Sequence, residues 1–360
     1  MVTQQRETPS ESLILSDETQ KGFDETGNLP ARLQRYSLAR QRALVNLTHL
    51  DDVLKLRDDF NSSSRNSLVR VHSRLQSCGN YLNFRDFYTV GKVRLYQANF
   101  CKVSLLCPLC AIRRASKNLE SYLKRYRHIM SLNPLLKLSL LTLTVKNGDD
   151  LTERFNHIQK SLKTVLERRK HTVLGMRGHH SEFGKILGLV GSYEVTKGNG
   201  WHPHAHLLIL HSERLDYQVL KDEWLDITGD SHVLRVDAAF HPDEPERDFL
   251  EVFKYAVKFS DLSPDQNFEV YEVLKGRRLL FSAGLFYGVE VPKTLNDDLD
   301  DLDGLPFISK LYQYFLESGY NLVSTDEGIY KSPLKFDKPE GRFTPMSNGS
   351  VWLPANSDSS

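Results

Sequence analysis

KILGLVGSYEVTKGNGWHPHAHLLIL, residues 185–210, sets two apolar runs on either side of a stretch rich in glycine and asparagine. Runs of this composition, punctuated by residues that accept turn conformations, predict an antiparallel hairpin. Centring the turn on Asn199 puts Glu194 opposite His204, and directly paired residues carry Cβ atoms about 4.5–5.5 Å apart. His204 and His206 are two residues apart, so on a strand both imidazoles point to the same side. With His202, three imidazoles fall within five residues, a density that packing explains poorly. His204, His206 and Glu194 therefore form a candidate ligand set for one divalent cation. Imidazole and carboxylate donors suit manganese, zinc or a water-rich magnesium site. The competing reading is a pair of hydrogen-bonded structural histidines.

Upstream, LLKLSLLTLTVKN (135–147) alternates as a strand should, with Leu138, Leu140, Thr142 and Thr144 on one face and Leu141, Leu143 and Val145 on the other; apolar residues on both faces predict a central strand. A basic helix is expected over about 152–171, a second helix over about 214–227, then a strand in HVLRVDAA and a helix in FLEVFKYAVKF (249–259). The order predicts an α+β fold, a central sheet flanked by helices. In the last helix Glu251, Tyr255 and Lys258 share one face. Tyrosine can attack a phosphodiester and conserve its energy as a phosphotyrosyl ester, provided cations offset the charge developing on phosphate. Glu251 is placed to move a proton there, Lys258 brings a cation to the same face, and Lys254 is a further candidate DNA contact. The same spacing also occurs on ordinary amphipathic helices.

The four cysteines are Cys78, Cys101, Cys107 and Cys110, the last two in a C-x-x-C knuckle. They match a tetrahedral structural zinc site, with buried thiols as the alternative. After the knuckle comes RRASKNLESYLKRYRHIM (113–130), with Leu119, Tyr122, Leu123 and Tyr126 on one helical face. Its basic residues, Arg113, Arg114 and Lys117 first, are candidate DNA contacts. A net charge of +1 hides this segregation: basic residues concentrate between Lys102 and Arg127 and again between Lys160 and Lys185. That footprint fits nucleic acid, although solvated helix faces look alike.

Four regions follow: an arm over 1–65, with a helix from Pro30 through Leu56; a cysteine-rich, DNA-contacting region over 66–130; a catalytic domain over 131–290; and an acidic extension over 291–360, with a short helix near Ile308 to Glu317 followed by disorder. No apolar run approaches the roughly 18 residues of a membrane span. The N-terminus lacks the basic start and apolar core of a secretory signal, so a cytoplasmic, reducing location without membrane contact is expected.

Three segments, LLTLTVKN (140–147), WHPHAHLLIL (201–210) and EVFKYAVK (251–258), together resemble the motifs of plasmid rolling-circle replication initiators of the HUH endonuclease superfamily. The likeness is to the branch with one catalytic tyrosine and a glutamate four residues before it. FCKVSLLCPLCAIRR (100–114) resembles the segment ahead of the first motif. The resemblance implies the HUH endonuclease fold, a manganese or magnesium ion on His204 and His206 with Glu194 as third ligand, and Tyr255 as nucleophile. It further implies a role for Glu251 in activating water at termination and for Lys258 in contacting phosphate. The implied partners are plasmid origin DNA, single-stranded or extruded as a hairpin, and a host polymerase. Because no G-x-x-x-x-G-K-[ST] motif occurs, a host helicase would also be required. The alternatives are an HUH transposase or mobilisation relaxase, a metal-dependent hydrolase using water alone, and, from another class, a non-catalytic zinc-containing DNA-binding regulator.

Overall fold

In the computed structural model the described residues are 29–56, 61–231, 233–238, 245–253, 261–331 and the short strands 343–345 and 352–354. Helix α1 (Leu29–Leu56) is followed by α2 (Ser62–Ser77), where the Asn61 side chain accepts from the Ser64 amide at 2.8 Å. The chain continues through β1 (Tyr81–Phe87), β2 (Lys92–Ala98), α3 (Pro108–Leu132), β3 (Lys137–Thr144) and α4 (Leu151–Val173). Then come β4 (Ile186–Gly198), β5 (Gly200–His211), α5 (Tyr217–Thr228), β6 (Leu234–Ala238) and α6 (Pro245–Phe253). The described chain ends with α7 (Pro264–Leu274), β7 (Leu280–Gly284), β8 (Pro306–Phe315), β9 (Gly319–Ile329), β10 (Phe343–Pro345) and β11 (Trp352–Pro354). Local signals fix several helix starts. Asp150 caps α4 by accepting from the amides of Thr152 and Glu153, and Ser263 and Gln266 form a reciprocal capping box at α7.

Among the described residues every sheet pairing is antiparallel. The central sheet runs in the order β6-β3-β5-β4-β7 and a second sheet in the order β2-β1-β8-β9. Period-two alternation sorts the central sheet into two apolar layers. Leu141, Leu143, Tyr193, Ala205, Leu207 and Ile209 face α4, α5 and α7, which contribute Phe155, Ile158, Leu162, Trp224 and Val270. Leu138, Leu140, Val190, Leu208 and Leu210 face the other way, onto Leu119, Tyr122 and Leu123 of α3 and Phe249, Val252 and Phe253 of α6. Both faces of β3 are as its alternation predicts. The Trp224 indole donates to the Thr144 carbonyl at 2.8 Å, tying α5 to the end of that strand.

Two expectations are corrected. The helix expected at Ile308 to Glu317 is the β8–β9 hairpin, and β8 completes a sheet with β1. The segment before Asn66 is not peripheral, because α1 buries Tyr36, Ala39, Ala43 and Leu50 in the core shared with α2, β1, β2 and the cysteines. That core is locked by an ionic knot. Asp297 accepts from Arg113 Nη2 at 2.5 Å, from Arg32 Nη2 at 2.9 Å and from the Leu95 amide at 2.5 Å. Arg113 also donates to the Tyr36 hydroxyl at 3.2 Å and to the Leu295 carbonyl at 2.7 Å. Burial alone would raise the Asp297 carboxyl, but the two guanidiniums hold it well below the usual carboxylate range. Among the described residues no helix is long and apolar enough to cross a membrane.

Candidate functional site

The β4–β5 hairpin turns at Asn199, with Gly198 opposite Gly200, so Glu194 pairs directly with His204 in the expected register. Gly200 sits at φ +92°, and a Cβ there would lie 2.9 Å from the Gly148 carbonyl oxygen, so the turn needs glycine. On β3, Thr142 pairs with His206 and Thr144 with His204. Five side chains from three neighbouring strands therefore share the face that carries α3 and α6.

One carboxylate oxygen joins the two rings: Glu194 Oε2 lies 3.0 Å from His204 Nε2 and 3.0 Å from His206 Nε2. The carboxylate side chain is buried and the imidazoles are nearly so, at 11% exposed for His204 and 18% for His206. The far ring nitrogens are also held. His206 Nδ1 is 3.1 Å from Thr142 Oγ1, and His204 Nδ1 donates to the His202 carbonyl at 3.3 Å. A proton on Nδ1, donated to that carbonyl, leaves the Nε2 lone pair of His204 free for a cation, as in metal-bound histidines whose other ring nitrogen is held by a backbone carbonyl. Two donors about 2.1 Å from one ion and at right angles to each other lie about 3.0 Å apart, which is the spacing of each Nε2 from the Glu194 oxygen, and all three donor atoms lie within 4.8 Å of one another, close enough to reach one cation.

His202 continues the row. Its ring lies 5.4 Å from that of His204 and its Nδ1 2.6 Å from Asn147 Oδ1; burial, followed by the neighbouring His204, lowers its pKa. Sequence reasoning missed Thr142 and Asn147 as supports. Part of the signal was present, since the alternation puts Thr142 and Thr144 on one face of an expected central strand, but which strand it pairs with was not readable.

Glu251 lies within α6, but its side chain, together with Lys254, Tyr255 and Lys258, falls outside the described residues. The end of α6 is nevertheless tied to this face, because the Ser192 hydroxyl, two residues before Glu194 on β4, donates to the Val252 carbonyl. Of the expected DNA contacts, Arg114 is exposed. Arg113 and Lys117 are not, and both are corrected: Arg113 is spent inside the Asp297 knot, while Lys117 is buried along its stem with its ammonium 3.1 Å from Glu120 Oε2.

At the head of α3, Cys78, Cys101, Cys107 and Cys110 are all buried and unbridged, and their sulfurs lie within 4.8 Å of one another. The molecule is thus an α+β protein with, among the described residues, two separate ligand clusters, one of imidazole and carboxylate on the sheet and one of thiols at the head of a helix.

Comparison with known proteins agrees. A family described as "Replication protein" matches residues 92–310, more than half of the chain and a span that includes both β4–β5 and α6. The chain belongs to that family, the plasmid replication initiator (Rep) proteins. A "Protein rep" of Staphylococcus aureus is 27% identical over 201 residues, covering 52% of this chain and 82% of its own. One from Bacillus sp is 28% identical over 270 residues, covering 64% and 82%, and one from Streptococcus pneumoniae serotype 2 is 31% identical over 182 residues, covering 48% and 52%. No solved structure matches.

Proposed function

We propose that this initiator starts rolling-circle replication by nicking one strand of its plasmid origin, with Tyr255 as nucleophile beside a divalent cation held by Glu194, His204 and His206. The observation that carries the reading is the shared Glu194 oxygen at 3.0 Å from both Nε2 atoms, on the sheet face to which the last turn of α6 is bonded. Side chains two apart on a strand are separated by about 6.6 Å, so the Ser192 anchor of Val252 is one such step from Glu194. Only Lys254 separates Tyr255 from Phe253, the last described residue of α6. When bound, manganese or magnesium polarises the scissile phosphate and offsets its developing charge.

The Tyr255 hydroxyl gives up its proton as its oxygen attacks phosphorus, the bond from phosphorus to the 3′ oxygen breaks, and that oxygen takes up a proton to become the 3′ hydroxyl primer. The 5′ phosphate stays on Tyr255 as an ester, so no phosphodiester energy is lost. At termination Glu251 accepts a proton from the water that attacks phosphorus at the second cleavage, the bond to the 3′ oxygen breaks there, and the 3′ hydroxyl so freed attacks the phosphotyrosyl ester, which releases Tyr255 and closes the strand; Lys258 and Lys254 pair with phosphate oxygens. Arg114 on the exposed side of α3 contributes to DNA contact outside the chemistry. Origin DNA is engaged single-stranded or as an extruded hairpin, and a host helicase and polymerase extend the primer.

The test uses labelled single-stranded oligonucleotides tiling the plasmid's origin, with manganese or with chelator, resolved on a denaturing gel. A covalent protein–DNA band that requires both Tyr255 and metal is expected. Cleavage that survives Tyr255→Phe would assign the site to a water-using nuclease, and binding without cleavage under any metal would leave a DNA-binding regulator.

A further inference from the structure

The geometry points to a structural zinc site formed by Cys78, Cys101, Cys107 and Cys110, independent of the cation on the sheet. Zinc bound to four thiolates at about 2.3 Å in a tetrahedron places its sulfurs about 3.8 Å apart. The observed separations are 3.6 Å for Cys78–Cys107, 3.6 Å for Cys78–Cys110 and 3.5 Å for Cys101–Cys110. The thiols come from three elements: Cys78 ends α2, Cys101 follows β2, and Cys107 and Cys110 stand at the N-cap and in the first turn of α3. Two of them meet the positive end of that helix, where thiolates are favoured.

The backbone around the cluster is arranged for negative sulfur. The amides of Cys101, Lys102 and Val103 donate to the sulfurs of Cys78, Cys110 and Cys101 at 3.3, 3.3 and 3.4 Å. Lys102, at φ +59°, is the one non-glycine residue in the left-handed region among the described residues, and it sits in the middle of this run. Side chains enter that region at a cost, and here the turn aims consecutive amides at the cluster.

The site is also closed. Each cysteine is at most 2% exposed, and the Tyr320 hydroxyl donates to the Gly79 carbonyl at 2.6 Å, bringing β9 over the cluster. A Cβ on Gly79 would lie 2.5 Å from Leu109 and 2.8 Å from that hydroxyl, so the lid fits without a gap. Four protein ligands with no access for substrate define a structural ion, not a catalytic one. Its consequence reaches the sheet site. The ion fixes the head of α3, and further along the same helix Tyr122 and Tyr126 pack against Phe253 and Phe249 of α6 at 5.2 Å each.

The test is metal analysis of the purified full chain, with cobalt exchange. One zinc per chain is expected in the wild type and in His204→Ala/His206→Ala, with none in Cys107→Ser/Cys110→Ser. The cobalt form should show thiolate-to-metal charge-transfer bands. If the serine variant fails to fold, Cys110→His, which offers nitrogen for sulfur, should keep the ion and shift the cobalt spectrum. A folded, zinc-free wild type whose four thiols are modified together overturns the assignment, as does a disulfide among them. Zinc that disappears with the two histidines overturns it too. Loss of nicking in the histidine variant bears on the sheet site alone, so the two readings fail separately.

Discussion

Asp297→Asn tests whether the charge at Arg113 is structural. In the wild type one carboxylate answers two guanidiniums and a backbone amide, at 2.5 Å to Arg113, 2.9 Å to Arg32 and 2.5 Å to Leu95, with side chains only 2–11% exposed. Removing one partner from a buried ion pair costs about 3–5 kcal/mol, because the remaining charge stays desolvated. Asparagine keeps one acceptor oxygen, which the Leu95 amide can retain, so the lower end, about 3 kcal/mol, is expected. With a urea m-value of about 3 kcal/mol/M this lowers the midpoint by about 1 M, measured by circular dichroism at pH 7. The pH dependence has a definite sign. The folded carboxyl titrates below its unfolded value, so its contribution is complete above about pH 4 and is lost only as pH falls through the depressed folded value. The gap between wild type and variant should therefore be the same at pH 7 and pH 5 and close below about pH 4. A midpoint shift under about 0.3 M, or a gap that closes already between pH 7 and pH 5, would refute a buried, charge-bearing knot.

Burial raises the Tyr36 phenol, but Arg113 and Arg32 outweigh it and bring the pKa down to about 8. Spectrophotometric titration should show one tyrosine ionising near pH 8, absent in Tyr36→Phe; its stabilisation is complete above about pH 10, the unfolded value, and lost as pH falls through 8. Thr142→Val removes the hydroxyl 3.1 Å from His206 Nδ1 and should weaken manganese binding about 10–100-fold with the circular dichroism spectrum unchanged, as read by calorimetric titration. Unchanged affinity would mean the hydroxyl does not orient the ring.

How far the sequence foretold this structure depended on how local each signal was. The β4–β5 register was readable because one turn, KGNG, fixes it, and the turn and the ligands lie within a dozen residues. The faces of β3 followed from strict alternation. The β8 strand was misread because Ile308, Leu311, Tyr312 and Phe315 recur at helical spacing, while a bulge between Leu311 and Tyr312 interrupts its alternation. Its partner β1 lies over 200 residues upstream, so no local window shows the pairing. Arg113 and Lys117 were misplaced for a related reason. A basic run does not say which of its members meets an acid from elsewhere, and Asp297 comes from the far end of the chain. The tyrosine helix was legible as far as Phe253, and the chemistry assigned to Tyr255 rests on its spacing and on the family.

The sheet that carries Glu194, His204 and His206 is built wholly from residues 137–284, whereas the β2-β1-β8-β9 sheet draws its halves from either side of that span. On a ribosome adding about 5–20 residues per second, β1 and β2 wait some 10–45 seconds for β8 and β9. During that interval the inner unit can close while the outer one is half made. Its cysteines are then without the cover of Tyr320, so in the nascent chain the thiols are open to whichever metal or oxidant arrives first.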